Sequence, residues 1–326
     1  MKCTNRITTL IVLCAGLLIF GGCGASNTSA INKIEQEQYN RSVYQGKLQS
    51  ADLCVSAEDV KLKSYKGDQN AHALGLYDVK NNQVLYSYKA HDKIYPASLT
   101  KVMTAYVVLK NTSLQDEVKI SAKSAASNFP SDAQVCGLKE GEVWTMEALL
   151  NALLLYSGND VAAAIAEHIS GSEEAFVDEM NRCAKELLAV NTHFANSHGL
   201  HDNNHYTTAY DLYLIFNECV KDDRFVKIIK QKSYTATFKS SDGKEKQVTY
   251  MPTNLYATGQ AELPKGAAVL GGKTGTTGEA GYCLMLLSEK AEGEYYISTV
   301  MGAENKPALY EKMTALIEAI PSTKKN

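Results

Sequence analysis

The chain has 326 residues, 45% of them hydrophobic, and a formal net charge of -3. That is enough apolar material for a substantial core, built as one large domain or as two interleaved lobes. Neither sign of charge dominates and no basic stripe with interleaved aromatics occurs, so nucleic acid is not an expected partner.

The N-terminus differs from the rest. Lys2 and Arg6 precede an apolar run from Ile7 to Phe20, which ends in Gly21-Gly22-Cys23. A run of about 14 residues is short for a membrane span but has the length of a signal-peptide core, so the chain is expected to be exported, with residues 1–22 as the signal peptide. Small residues just before Cys23 resemble the lipobox of bacterial lipoproteins, although Phe20 departs from the leucine usual there. The resemblance implies a lipid on Cys23 and a place on the outer face of the bacterial cytoplasmic membrane. Residues 23–50 read as a polar tether, part-helical at most around Ile31 to Tyr44, and residues 51–326 as the folded domain. Cys3 and Cys14 would leave with the signal. The remaining Cys54, Cys136, Cys183, Cys219 and Cys283 are odd in number and scattered, which suggests buried free thiols with at most one or two bridges.

Two short strands, His72 to Tyr77 and Val84 to Tyr88, are joined by the polar turn Asp78 to Asn82. They lead into Pro96-Ala97-Ser98-Leu99-Thr100-Lys101 and then an apolar segment, Val102 to Leu109, that should be a helix buried on most sides. Helical spacing follows from Thr145 to Tyr156, breaks at Ser157-Gly158-Asn159, and resumes from Asp160 to Ile169. Gly171-Ser172 caps the next helix, about Glu173 to Leu188, whose first turn carries two glutamates. The segment Asn196 to Tyr206 has no regular period. Thr208 and Asp211 fit a capping box opening a helix to about Val220. A hairpin, Ser233 to Lys239 and Lys246 to Met251, turns at Ser241-Asp242-Gly243. Strands at Ala268 to Thr274, Tyr282 to Ser288 and Tyr295 to Met301 precede a last amphipathic helix, Pro307 to Ile320. Strands, a helical block, then strands and a closing helix predict an α+β fold: an antiparallel sheet flanked by helices, with a mostly helical insertion between its halves.

If Ser98 opens a helix, a spacing of three puts the Lys101 amine on the same face, within reach of the Ser98 hydroxyl. The pattern S-x-x-K also occurs at Ser241/Lys244 and Ser322/Lys325, but only at Ser98 does a buried helix follow. Ser157-Gly158-Asn159 and Lys273-Thr274-Gly275 are the single occurrences of S-x-N and K-T-G in the chain. Taken singly, each has a plain structural explanation as a cap, a loop or a strand end. Their order and their contexts (a helix start, a break between helices, a glycine-flanked strand) make coincidence the weaker explanation.

Together the three motifs are the signature of penicillin-binding proteins and class A β-lactamases. The chain further resembles the serine D-alanyl-D-alanine carboxypeptidases, the low-molecular-weight penicillin-binding proteins, over about Ala71 to Ile320. The likeness lies in Asn196-Ser197-His198-Gly199-Leu200, in His205 to Leu212, in Gly272 to Thr277 and in Ala280 to Cys283. Ser-Gly-Asn is the form of the second motif usual in that family. The extra C-terminal β domain and amphipathic membrane helix of many such enzymes are not expected here, and the Cys23 lipid would replace that anchor.

The resemblance implies a β-lactamase/transpeptidase-like fold and removal of the terminal D-Ala from peptidoglycan stem peptides, with β-lactams as covalent inhibitors. Ser98 would be the nucleophile and Lys101 its base, kept neutral by burial or by the nearby Lys273 cation. Ser157 would relay a proton to the leaving amine, and Asn159 would orient Lys101 and the substrate amide. Lys273 with the hydroxyls of Thr274 and Thr276 would hold the substrate carboxylate. Gly275 has no side chain to stop a peptide lying along the strand edge. The family's oxyanion hole maps to the backbone N–H groups of Ser98 and Thr276.

No cofactor is called for. His198, His201 and His205 have a spacing that could hold zinc, but no H-E-x-x-H accompanies them, and they read as a structural loop wall. A serine β-lactamase would share the acylation machinery, yet no E-x-x-L-N motif stands between Asn159 and Lys273. A third reading is a penicillin-binding sensory or scaffold lipoprotein without catalysis.

Overall fold

The computed structural model describes residues 52–321. The expected signal peptide over 1–22, Cys23, the tether over 23–50 and the Ser322/Lys325 pair lie outside the described residues. Among the described residues no helix is long and apolar enough to cross a membrane.

One five-stranded antiparallel sheet forms the backbone of the fold. Its strands are β1 (Ala73–Asp78), β2 (Gln83–Tyr88), β7 (Ala268–Thr277), β8 (Gly281–Glu289) and β9 (Tyr295–Ala303), in the order β2-β1-β9-β8-β7. Chain-distant strands meet in the centre, with Ala73 opposite Met301 and Asp78 opposite Tyr296. Successive side chains of a strand point to opposite faces. Accordingly Tyr77, Cys283, Met285, Leu287 and Ile297 enter the core shared with the helical lobe. Leu74, Leu76, Leu284, Leu286 and Val300 pack under α8 (Lys306–Glu318) with Leu309, Met313 and Leu316. Both faces being covered, β8 reads as an uninterrupted apolar run instead of an alternating one.

The helical insertion surrounds α1 (Thr100–Asn111), of which eight residues are buried, Lys101 included. Around it pack α3 (Asn159–Ser170), α4 (Glu173–Glu186) and α5 (Ala209–Cys219). Ser172 caps α4 through the N–H of Ala175, and Thr208 caps α5 through the N–H of Asp211. Only half of the expected capping box forms. The Asp211 carboxylate turns away to accept from Asn191 N and Thr192 Oγ1, 2.8 Å each, and ties down the preceding loop.

The expected hairpin is present as β5 (Tyr234–Lys239) and β6 (Glu245–Tyr250), but it belongs to a second sheet, order β3-β4-β5-β6. The additional strands, β3 (Glu117–Lys119) and β4 (Val143–Thr145), are three residues each and show no readable period. They are held by pairing to one another and by the stacking of Trp144 on Phe238, 4.1 Å between centroids. Two short helices, α6 (Asp223–Ile229) and α7 (Leu255–Thr258), also go beyond the sequence expectation. All five remaining cysteines are free thiols. Four are buried, where desolvation disfavours the thiolate; Cys54 and Cys183 are pushed up to about 11 and Cys283 to about 12.

Candidate active site

Three chain segments converge at the start of α1. Ser98 sits in a single 3-10 turn, Ala97–Leu99, which runs into α1. Its predecessor Ala97 has φ 48, a left-handed conformation that a non-glycine residue adopts only when its surroundings force it. From the sheet side, β7 approaches so closely that a Cβ on Gly275 would stand 3.0 Å from Ser98 N and 3.2 Å from Leu99 N. The absent side chain at Gly275 therefore admits the Ser98 turn itself, a reason additional to leaving the strand edge open.

The second segment owes its geometry to α2 (Met146–Asn151), whose last turn widens to a π-turn over Ala152–Tyr156. The wide turn closes with Ser157 N donating to Ala152 O at 3.0 Å and leaves Ser157 in the left-handed region, φ 74. Such single π-turns often mark functional positions, where the extra residue re-aims the side chains just after it. Asn159 then opens α3, and its N–H donates to Gln134 O at 2.8 Å. Next to it, the fully buried carboxylate of Asp160 accepts from the N–H groups of Cys136, Gly137, Leu138 and Val161 at 2.8–3.0 Å. This fastens the 132–138 wall to the second motif.

Lys101 is completely buried. Its Nζ lies 3.1 Å from Ser98 Oγ, 2.7 Å from Asn159 Oδ1 and 2.6 Å from His198 O. Burial first, and then the charge of Lys273, lower its pKa well below that of a free lysine. A neutral amine has two N–H donors and one lone pair. Asn159 and the His198 carbonyl match the donors, which leaves the lone pair for the Ser98 hydroxyl proton.

Lys273, also buried, donates to Ser157 Oγ and to Thr274 O, 2.8 Å each. Desolvation lowers its pKa to about 7. Thr274 Oγ1 pairs with Thr253 Oγ1 at 2.5 Å. A cavity of about 340 Å³ joins Ser98, Ser157, Asn159, Thr274, Gly275 and Thr276, with Asp132, Gln134, Leu200, Thr253, Lys306 and Tyr310 around its rim. A larger hollow of about 530 Å³ adjoins it along α8 and shares Lys306 and Tyr310, but holds no nucleophile.

Every residue singled out in the three motifs thus meets at one place. The three histidines do not meet: His205 faces Thr100, His201 lies 3.8 Å from Glu279, and His198 meets the edge of Phe129. Burial pushes His198 down to about 3 and His205 to about 4, so both rings are neutral. Gly199 and Leu200 line the cavity as part of the expected loop wall, whereas Asp160, Thr253 and the His198 carbonyl join the site without having been singled out by sequence reasoning. Asp160 directly follows the second motif, a signal that could have been used; a backbone carbonyl leaves no mark in a sequence.

Residues 60–305 match the profile described as D-alanyl-D-alanine carboxypeptidase, Peptidase_S11. The D-alanyl-D-alanine carboxypeptidase DacF of Bacillus subtilis is 32% identical over 248 residues, which are 74% of this chain and 60% of that protein. The D-alanyl-D-alanine carboxypeptidase of Streptomyces sp. strain K15 is 32% identical over 258 residues, 75% of this chain and 86% of its own. The chain spans about 60% of the length of several such relatives. Among solved structures, the Streptomyces K15 DD-transpeptidase superimposes with a TM-score of 0.72 at 28% identity, covering 78% of this chain and 98% of that one. The D-alanyl-D-alanine carboxypeptidase of Mycobacterium tuberculosis H37Rv gives 0.67 at 25% identity, covering 81% and 94%. On this match across most of its length, the chain belongs to the D-alanyl-D-alanine carboxypeptidase family, peptidase family S11.

Proposed function

We propose that this chain is a serine D,D-carboxypeptidase that removes the terminal D-Ala from peptidoglycan stem peptides ending in D-Ala-D-Ala. The observation that carries the reading is the Lys101 amine, buried and 3.1 Å from Ser98 Oγ, with acceptors placed for both hydrogens of its neutral form. Lys101 takes the Ser98 proton as Oγ attacks the carbonyl of the penultimate D-Ala, and the N–H groups of Ser98 and Thr276 hold the developing oxyanion. The C–N bond then breaks, and the leaving amine receives a proton through Ser157. D-Ala departs and an ester remains on Ser98. Water hydrolyses that ester to free the shortened peptide and restore the serine. Lys273, Thr274 and Thr276 hold the substrate carboxylate, and Asn159 orients Lys101 and the substrate amide.

A β-lactam presents a strained amide and a carboxylate to the same groups, so penicillin acylates Ser98. The apolar run before Cys23 supports export and a lipid anchor on Cys23, and with them a position on the outer face of the cytoplasmic membrane.

The test uses purified protein, a synthetic stem pentapeptide and a fluorescent penicillin. Mass spectrometry should show loss of one D-Ala with the wild type and none with Ser98→Ala, and the penicillin should label only the wild type. Equal labelling of both proteins would sink the proposal. Rapid turnover of a chromogenic cephalosporin would favour a β-lactamase, and penicillin labelling without D-Ala release a sensor.

A further inference from the structure

Opposite Ser98, the 195–205 loop meets the nucleophile turn through hydrogen bonds that the acyl-transfer steps leave unused. Ala195 N donates to His205 Nδ1 at 3.0 Å. In the neutral imidazole the proton is then on Nε2, which lies 2.7 Å from Thr100 Oγ1. Thr100 Oγ1 donates in turn to Ala97 O at 2.8 Å. Thr100 and His205 are both buried.

The carbonyl of Ala97 and the N–H of Ser98 are the two ends of one peptide unit, and no peptide bond among the described residues is cis. Fixing the oxygen of a planar trans unit fixes the direction of its N–H. That unit follows a residue in a left-handed conformation, so its orientation has to be imposed. Gly199 packs against the same oxygen so tightly that a Cβ there would stand 1.9 Å from it. Hydrogen bonds to a carbonyl also polarise the amide and strengthen its N–H as a donor.

We propose that His205 and Thr100 are positioning residues for the oxyanion-binding amide: the relay from Ala195 N–H through His205 and Thr100 to Ala97 O aims and polarises the N–H of Ser98. This rests on the reading of Ser98 as nucleophile and of its N–H as an oxyanion donor. An oxyanion develops only as Ser98 attacks, so the effect falls on the acylation step and leaves substrate binding alone. The relay requires a neutral ring, which burial provides. Of the titratable groups facing it, Asp202 favours the protonated ring, whereas His193, Lys101 and His201 act in the same direction as burial.

Acylation by a fluorescent penicillin, followed over a range of concentrations, separates the binding constant from the first-order acylation rate. We expect His205→Leu and Thr100→Val to slow acylation tenfold or more, with the binding constant within threefold of wild type. His205→Gln and Thr100→Ser, which keep a donor and an acceptor, should recover to within threefold. The double variant His205→Leu/Thr100→Val should be no slower than the slower single variant, because both break one relay. Wild-type acylation rates in the Leu and Val variants would overturn the inference. So would equal losses in the Gln and Ser variants, or a loss confined to the binding constant. If His205→Leu does not fold, Thr100→Val, which removes one hydroxyl from a similar volume, decides alone. A wild type that penicillin does not label defeats the nucleophile reading and this inference with it, whereas labelled wild type with unaffected variants defeats this inference only.

Discussion

Lys273 donates a 2.8 Å hydrogen bond to Ser157 Oγ, across 116 residues of chain. A buried strand-borne ammonium is thereby fixed to a hydroxyl in a left-handed turn, and that hydroxyl lines the cavity that Ser98 opens into. The same ammonium lowers the pKa of Lys101. One buried cation thus bears on the groups proposed as carboxylate subsite, proton relay and base.

Its titration should be visible in the kinetics. With its pKa lowered to about 7, Lys273 carries its charge below that pH and loses it as pH rises through it. For a substrate ending in D-Ala-D-Ala, kcat/KM should fall on the alkaline side with an apparent pKa near 7, since this ratio reports the free enzyme. In Lys273→Arg the guanidinium stays charged, so that limb should move up by roughly two units or more. A limb that stays in place would assign it to another group.

The same depressed pKa bears on stability. The native state disfavours the Lys273 proton while the unfolded chain keeps it up to about 10.5. Unfolding therefore takes up a proton between about pH 7 and 10.5, so this lysine costs stability below pH 7 and the cost fades as pH rises through that window. Lys273→Met should raise the thermal midpoint near pH 6, with a smaller gain near pH 10, while abolishing D-Ala release. Calorimetry at the two pH values checks the sign. A destabilised variant at both would show that the bonds to Ser157 and Thr274 outweigh desolvation.

Gly275→Ala should separate folding from catalysis. The new Cβ would press on Ser98 N at 3.0 Å and on Ala97 Cβ at 3.2 Å, contacts that give way only if the nucleophile turn shifts. Penicillin acylation should drop tenfold or more while the thermal midpoint moves little. Undiminished acylation would mean that the turn yields without losing its alignment.

Asp160→Asn tests the wall of the cavity. The carboxylate serves four backbone N–H groups, whereas an amide keeps one acceptor oxygen and turns donors toward the rest. We expect a loss of about 1–3 kcal/mol in stability and a raised KM, because the 132–138 segment loses its fastening. Denaturant unfolding together with peptide kinetics reads both effects.

The parts of the site legible in the sequence are those set by local spacing. Ser98 and Lys101 are three residues apart, Ser157 and Asn159 two, and Lys273 to Thr276 consecutive, so residue type and local geometry can be read together. The large strands and helices were legible for the same reason, through periods of 2 and 3.6. The hidden parts depend on partners far away in the chain. Strands β3 and β4 exist because they pair with each other and, through Val143 and Lys239, with β5. The Asp211 carboxylate finds better donors in Asn191 and Thr192 than its own cap offers. The His198 carbonyl acts through a backbone atom that any residue type carries, and Gly199 through the lack of a side chain against Ala97 O, a contact set by a partner about 100 residues away.

The order of the main sheet has a consequence for how the folded domain is assembled. Lys273 stands on β7, which reaches the rest of the sheet only through β8 and β9, and β9 pairs with β1. A ribosome delivers Ser98 and Lys101 about 200 residues before it delivers the last of these strands, at Ala303. Until that strand docks, β1 and β2 on one side and β7 on the other are separate parts of an unfinished sheet, and loop closure of that length is slow. A chain cut within 295–303 holds all three motifs but lacks the strand that pairs β1 with β8, and we expect it to be inactive. On the proposed function, activity is therefore expected all at once and late, with the strand that joins the two parts of the sheet.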